Sequence, residues 1–202
     1  MAKLQNENNI NQVKSDYPVI AFASSREFNS WLEENHAKEK GVWLRIYKKS
    51  TGIASVDHKE ALDEALCYGW IDGQGKKDAE DSYLQKFTPR GARSIWSKRN
   101  IDNILRLEKE GRMKPSGLKQ VELAKADGRL ERAYDSASNM VIPEDFLAEL
   151  AKNKTAHAFF ESLNRANKYA IVWRLQTAKK PETREKRMKV ILEMMANEKK
   201  FH

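Results

Sequence analysis

The stretch WIDGQGKKDAEDSYLQKFTPR, residues 70–90, holds two short strand-like runs around a polar centre. WIDGQGKK and SYLQKFTPR both carry aromatic or β-branched residues, which suit a pleated, half-buried surface. KKDAEDS between them has little to bury and reads as the loop of a hairpin. Upstream, VWLRIYKK (42–49) alternates: Val42, Leu44 and Ile46 on one side, Trp43, Arg45 and Tyr47 on the other. Together these runs predict a small antiparallel sheet of about three strands.

Helices flank that sheet in the sequence. Ser24 precedes Glu27 in the S-x-x-E arrangement that caps SREFNSWLEENH (25–36). Phe28, Trp31 and Leu32 then share one helical face. SVDHKEALDEALCYG (55–69) is a second helix, capped by Asp57 with Glu60 and stopped by Gly69. Ala61, Leu62, Ala65 and Leu66 form its apolar stripe. From Ser97 onward the pattern is helical throughout. SKRNIDNILRLEKEG ends on Gly111, PSGLKQVELAKADG on Gly128, and PEDFLAELAKN opens on Pro143. TAHAFFESLNRANKYAIVWRLQTAKK holds one or two helices. PETREKRMKVILEMMANEKK is a last amphipathic helix, with Met188, Ile191, Leu192 and Met195 inward. The expected class is α+β: a small sheet packed by helices over residues 18–138, then an all-helical region over 139–202. YDSASNMVIP (134–143) is the best boundary between them.

The whole chain narrows the function classes. Its 202 residues suit one compact domain or a domain with an appendage. With 33% charged residues and no apolar run of about 18, no membrane-spanning helix is expected. The opening MAKLQNENNINQVKSDYP is polar and lacks the apolar core of a secretory signal, so residues 1–17 read as a flexible leader. Cys67 is the sole cysteine, so no intrachain disulfide forms and the cytoplasm is the expected compartment. Set in the apolar helix stripe, it reads as an inert buried thiol. His36, His58, His157 and His202 lack zinc-type spacing. No metal site and no cofactor is expected.

The net charge of +8 is unevenly spread. Between Leu84 and Lys114 stand nine Lys or Arg and three Asp or Glu. Inside that span, TPRGARSIWSKRN (88–100) turns at Pro89 and Gly91 and starts a helix at Ser97. A helix N-terminus offers backbone N–H groups to an anion, and arginine forks add paired contacts. Arg90, Arg93, Ser97 and Lys98, with Trp70 and Trp96, are therefore candidates for binding an anionic small molecule or partner. A purely structural use of the same residues is also coherent. Ser97 then only caps its helix, Arg90 or Arg93 pairs with Asp72 or Glu64, and Trp96 fills a seam. Asp72, beside Gly73 and Trp70, is the one candidate acid or base, with turn chemistry as its alternative. Nucleic acid is a further possible partner, with Trp96, Tyr83 and Phe87 as stacking groups. No recognised nucleic-acid signature accompanies them.

EALDEALCYGWIDGQ, FTPRGARSIWSKRN, LEKEGRMKPSGL, AKADGRLERAYD and AKKPETREKRM occur in this order. Taken together they resemble the bacteriocin-protection family, also called YdeI or OmpD-associated proteins, from about Phe22 to the end of the chain. The resemblance implies a role in stress protection, by association with tolerance of bacteriocins or antimicrobial peptides and with an outer-membrane porin. It implies no catalytic residue. Relatives often carry a further Arg and a Pro where this chain has Gly91 and Ala92.

Overall fold

The computed structural model describes residues 17–201. Apart from Tyr17, the leader expected at 1–17 lies outside the described residues, as does His202. The chain divides into two compact units, Met1–Pro89 and Arg90–His202.

The first unit is built on a four-stranded sheet of order β1-β2-β4-β3. Its strands are β1 (Val19–Ala21), β2 (Val42–Tyr47), β3 (Trp70–Lys77) and β4 (Ser82–Pro89). The three expected strands pair antiparallel, β2 with β4 and β4 with β3. The expectation of a three-stranded antiparallel sheet is corrected by β1, which pairs parallel to β2 and makes the sheet mixed. Three residues are too few to show alternation, so β1 left no periodic signal. The hairpin loop is also shorter than expected, because Lys76 and Lys77 belong to β3 and pair with Leu84 and Tyr83.

Helices α1 (Ser25–Asn35) and α2 (His58–Cys67) follow their capping signals. Ser24 accepts from the Glu27 N–H, and Asp57 with Glu60 completes a reciprocal capping box. Gly69 takes a left-handed φ of 78° to turn α2 into β3. Val42, Leu44 and Ile46, on one side of β2, are buried, and Trp43 on the other side is buried as well. Phe28, Phe87 and Phe22 pack with Trp31 and Trp70 into an aromatic core, with Trp31 and Trp70 edge to face at 5.9 Å.

Six of the eight helices of the described residues belong to the second unit. They are α3 (Lys98–Lys109), α4 (Pro115–Ala126), α5 (Glu144–Ala151), α6 (Lys154–Ser162), α7 (Arg165–Gln176) and α8 (Pro181–Ala196). The run from Thr155 to Lys180 is two helices, because Asn164 caps α7 by accepting from Asn167 N–H. Helices α5 to α8 close on one cluster that includes Phe146, Leu150, Phe160, Ile171, Leu175, Ile191 and Met195. Met188 and Leu192 pack at its edge, as the amphipathic pattern of the last helix implied. Among the described residues no helix is long and apolar enough to cross a membrane.

Phe160 is fully buried and meets Phe146 edge to face at 5.5 Å. Phe160→Ala should destabilise the helical unit by about 3–5 kcal/mol, since the small side chain leaves a cavity. Urea unfolding of the full chain, followed by circular dichroism, checks this.

Candidate functional site

Basic residues converge in the second unit, at the start of α3. Ser97 caps α3 by accepting from the Asn100 N–H at 3.2 Å. A single parallel bridge ties this cap to a later segment: Tyr134 N–H donates to Trp96 C=O at 3.0 Å and Lys98 N–H to Tyr134 C=O at 2.9 Å. The bridge sets residues 129–135 alongside residues 94–98.

Two cavities open at this junction. One, of 570 Å³, is lined by the first turn of α3 and the Asp135–Asn139 loop, including Lys98, Arg99, Asp102 and Ser136. The other, of 320 Å³, takes residues from three separated segments. Trp96 and Lys98 come from the first, Arg129, Glu131, Arg132 and Asp135 from the second, Gln176 and Lys179 from the third. Four cations and two carboxylates thus face the smaller cleft, a local excess of positive charge.

The walls are fixed by their own bonds. Asp135 lies at the centre, with its side chain 13% exposed. Its carboxylate accepts from Lys98 Nζ at 2.7 Å and Gln176 Nε2 at 2.8 Å, and its N–H donates to Gln176 Oε1. The Lys98 ammonium holds the Asp135 carboxyl below the usual carboxylate range, with Gln176 adding to the effect and partial burial opposing it. Arg129 is buried and its Nε donates to Asp127 at 2.7 Å. Just past the C-cap of α4 stands Gly128, whose φ of +71° lets Arg132 return and donate to Asp127 C=O at 2.7 Å. A Cβ at Gly128 would stand 3.0 Å from that guanidinium.

The sequence candidates separate into distinct places. Trp96 and Lys98 line the cleft. Arg90 is 5% exposed and stacks on Trp96, its Cζ 3.7 Å from the ring centroid. It also donates to Ile95 C=O at 3.1 Å and Ser94 Oγ at 3.3 Å, so it braces the Trp96 loop. Ser97 serves as the cap, and Arg93 is exposed on the loop. The indole N–H of Trp96 is buried without a hydrogen-bond partner among the described residues.

Trp70 and Asp72 belong to the first unit. Trp70 is a core residue whose Nε1 donates to His36 C=O at 3.1 Å. Asp72 Oδ2 lies 3.1 Å from His58 Nε2, both half-exposed, and Glu64 accepts from Asn29. His58 was not a sequence candidate, since fourteen residues separate it from Asp72. Arg129, Arg132, Asp135 and Lys179 were likewise missed as site residues. They do occur within AKADGRLERAYD and AKKPETREKRM, two segments that carried the family resemblance.

A small mixed sheet with its helices, followed by a helical unit with a basic cleft at its first helix, defines an α+β protein. The chain belongs to the family described as Domain of unknown function (DUF8412), whose model matches residues 20–120, half of its length. Residues 139–198 match the family described as Bacteriocin-protection, YdeI or OmpD-Associated. Of the five segments that suggested the second family, AKKPETREKRM falls within its match, and the cleft draws residues from both matched regions. No curated protein and no solved structure matches the chain.

Asp135→Asn removes the charge partner of Lys98 while keeping an acceptor for Gln176. The cost at neutral pH should be about 1–2 kcal/mol, reduced by the exposure of Lys98. Because the folded-state pKa is depressed, this stability is complete above the unfolded value of about 4 and is lost as pH falls through the folded value. Denaturation of wild type and variant should therefore differ at pH 7 and converge at acid pH.

Proposed function

We propose that this protein binds a small anion, a carboxylated or phosphorylated metabolite, in the cleft beside Trp96, and that binding rather than catalysis underlies its stress-protection role. One observation carries the reading: Lys98, Arg129, Arg132 and Lys179, from three separated segments, share a 320 Å³ cleft with only two carboxylates. Arg129 and Arg132 are already held by Asp127, so at these two cations little ordering is left to the moment of anion binding. Arginine forks match the planar geometry of carboxylate and phosphate oxygens. Lys98 is the adaptable member. Its exposed ammonium can exchange Asp135 for a ligand oxygen without unfolding anything. The match to the bacteriocin-protection family supports the physiological half of the proposal.

A second reading rests on the His58–Asp72 pair. A carboxylate that accepts from one imidazole nitrogen orients the ring and strengthens the other nitrogen as a base. Such a pair supports an acid–base enzyme with His58 as the base and Asp72 as its positioning residue. Nucleic-acid binding is a third reading and predicts affinity that falls steeply with salt.

A thermal-shift panel of citrate, inorganic phosphate, sugar phosphates and short oligonucleotides, at low and high salt, separates these readings. A small acid at a hundredfold its Kd adds about 2.7 kcal/mol, a rise of roughly 5–10 °C in Tm for a chain of this size. The rise should survive high salt and vanish in Lys179→Glu. Shifts from every polyanion that disappear with salt would oppose the proposal. A hit that is consumed, with turnover lost in His58→Gln, would favour the enzyme.

A further inference from the structure

The C-terminal helices carry another recess, chemically unlike the cleft beside Trp96. Its volume is 270 Å³, and its floor is Val190 and Ile191 of α8 with Phe201. Val190 is 47% exposed, an apolar side chain left facing water. Arg174, Lys186 and Arg187 stand around this floor, with Thr183 as the remaining wall. Among the described residues that line it, none is acidic, although Glu182, Glu185 and Glu193 all occur on the same helix.

Two of the three cations are held in place. Arg187 Nη1 donates to Arg174 C=O at 2.7 Å and to Thr177 Oγ1 at 3.3 Å. The guanidinium of Arg174 lies 4.6 Å from the Phe201 ring centroid. Phe201 itself packs against the core cluster of α5 to α8, which fixes the floor beneath the charges.

We propose that this recess binds a medium-chain fatty acid as its carboxylate. The hydrocarbon tail lies over Val190, Ile191 and Phe201, and the carboxylate sits among Arg174, Lys186 and Arg187. Charge complementarity selects an anionic head, since the rim carries one sign only. The floor offers hydrocarbon contact and no hydrogen-bond partner, so a sugar or nucleotide would leave hydroxyls unpaired there. The volume is at the lower limit of ligand sites, which suits a short chain. This site is separate from the anion cleft and shares no lining residue with it.

Isothermal titration of the full chain with octanoate, butyrate and octanol tests the proposal. Each buried methylene is worth about fourfold in affinity, so octanoate, with four more methylenes, should bind roughly 200-fold tighter than butyrate. Octanol, lacking the charge, should bind about tenfold more weakly than octanoate. Val190→Asp should abolish octanoate binding and Lys186→Glu should weaken it several-fold. Both positions are exposed, so the Tm should stay close to wild type. Lys179→Glu, in the other cleft, should leave octanoate binding unchanged, which keeps the two sites distinguishable. The proposal is overturned by absence of octanoate binding, by equal affinity for octanol, or by binding that survives both Val190→Asp and Lys186→Glu. Capture of a peptide with an apolar C-terminal residue, with no binding of octanoate, would overturn it as well.

Discussion

Two backbone hydrogen bonds, Tyr134 N–H to Trp96 C=O and Lys98 N–H to Tyr134 C=O, hold the second unit's cleft together. They form a single rung of parallel pairing between chain segments nearly forty residues apart. The rung places Lys98 and Asp135 within ion-pair distance, at 2.7 Å. Asp135 in turn reaches α7 through both hydrogen bonds with Gln176, while Tyr169 donates to its carbonyl. The start of α3, the exit from α4 and the end of α7 are thereby fixed around one carboxylate. Without the rung, the four cations of the cleft would belong to unrelated surface segments.

The cations of this unit have divided roles, set by burial. Arg90 is nearly buried, and its charge is carried by the face of Trp96 and by oxygen acceptors. A buried guanidinium is tolerable only with such partners, and this ties Arg90 to structure. Arg129 is equally buried and is spent largely on Asp127. Lys98 and Lys179 are exposed and can meet a ligand at low cost. The binding reading therefore leans on lysines at the mouth, with arginines as a rigid back wall.

Much of the fold was legible because its signals are local. The Asp57–Glu60 capping box, the Ser24 and Ser97 caps and the left-handed Gly69, Gly111 and Gly128 all act within a few residues. The alternation in VWLRIY likewise grouped Val42, Leu44 and Ile46, all buried, on one side of β2. Strand β1 escaped, since three residues paired in parallel carry no period. The site was legible only in part. TPRGARSIWSKRN drew attention to Trp96 and Lys98, which line the cleft, but charge density cannot tell a bracing arginine from a contacting one. Arg90 and Arg93 look alike in sequence and differ in burial. Partners such as Asp135 for Lys98, or His58 for Asp72, arise from tertiary contacts that no local spacing encodes.

The proposed anion binding in this cleft can be tested through the indole N–H resonances of the five tryptophans, Trp31, Trp43, Trp70, Trp96 and Trp173. Of these five only Trp96 lines the cleft, and its indole N–H has no acceptor among the described residues. NMR titration with citrate, at a salt concentration that screens exposed charges, should move the Trp96 resonance saturably and leave Trp43 and Trp70 in place. A Trp96 resonance that stays still, or shifts no more than the other four, would contradict an anion site in this cleft.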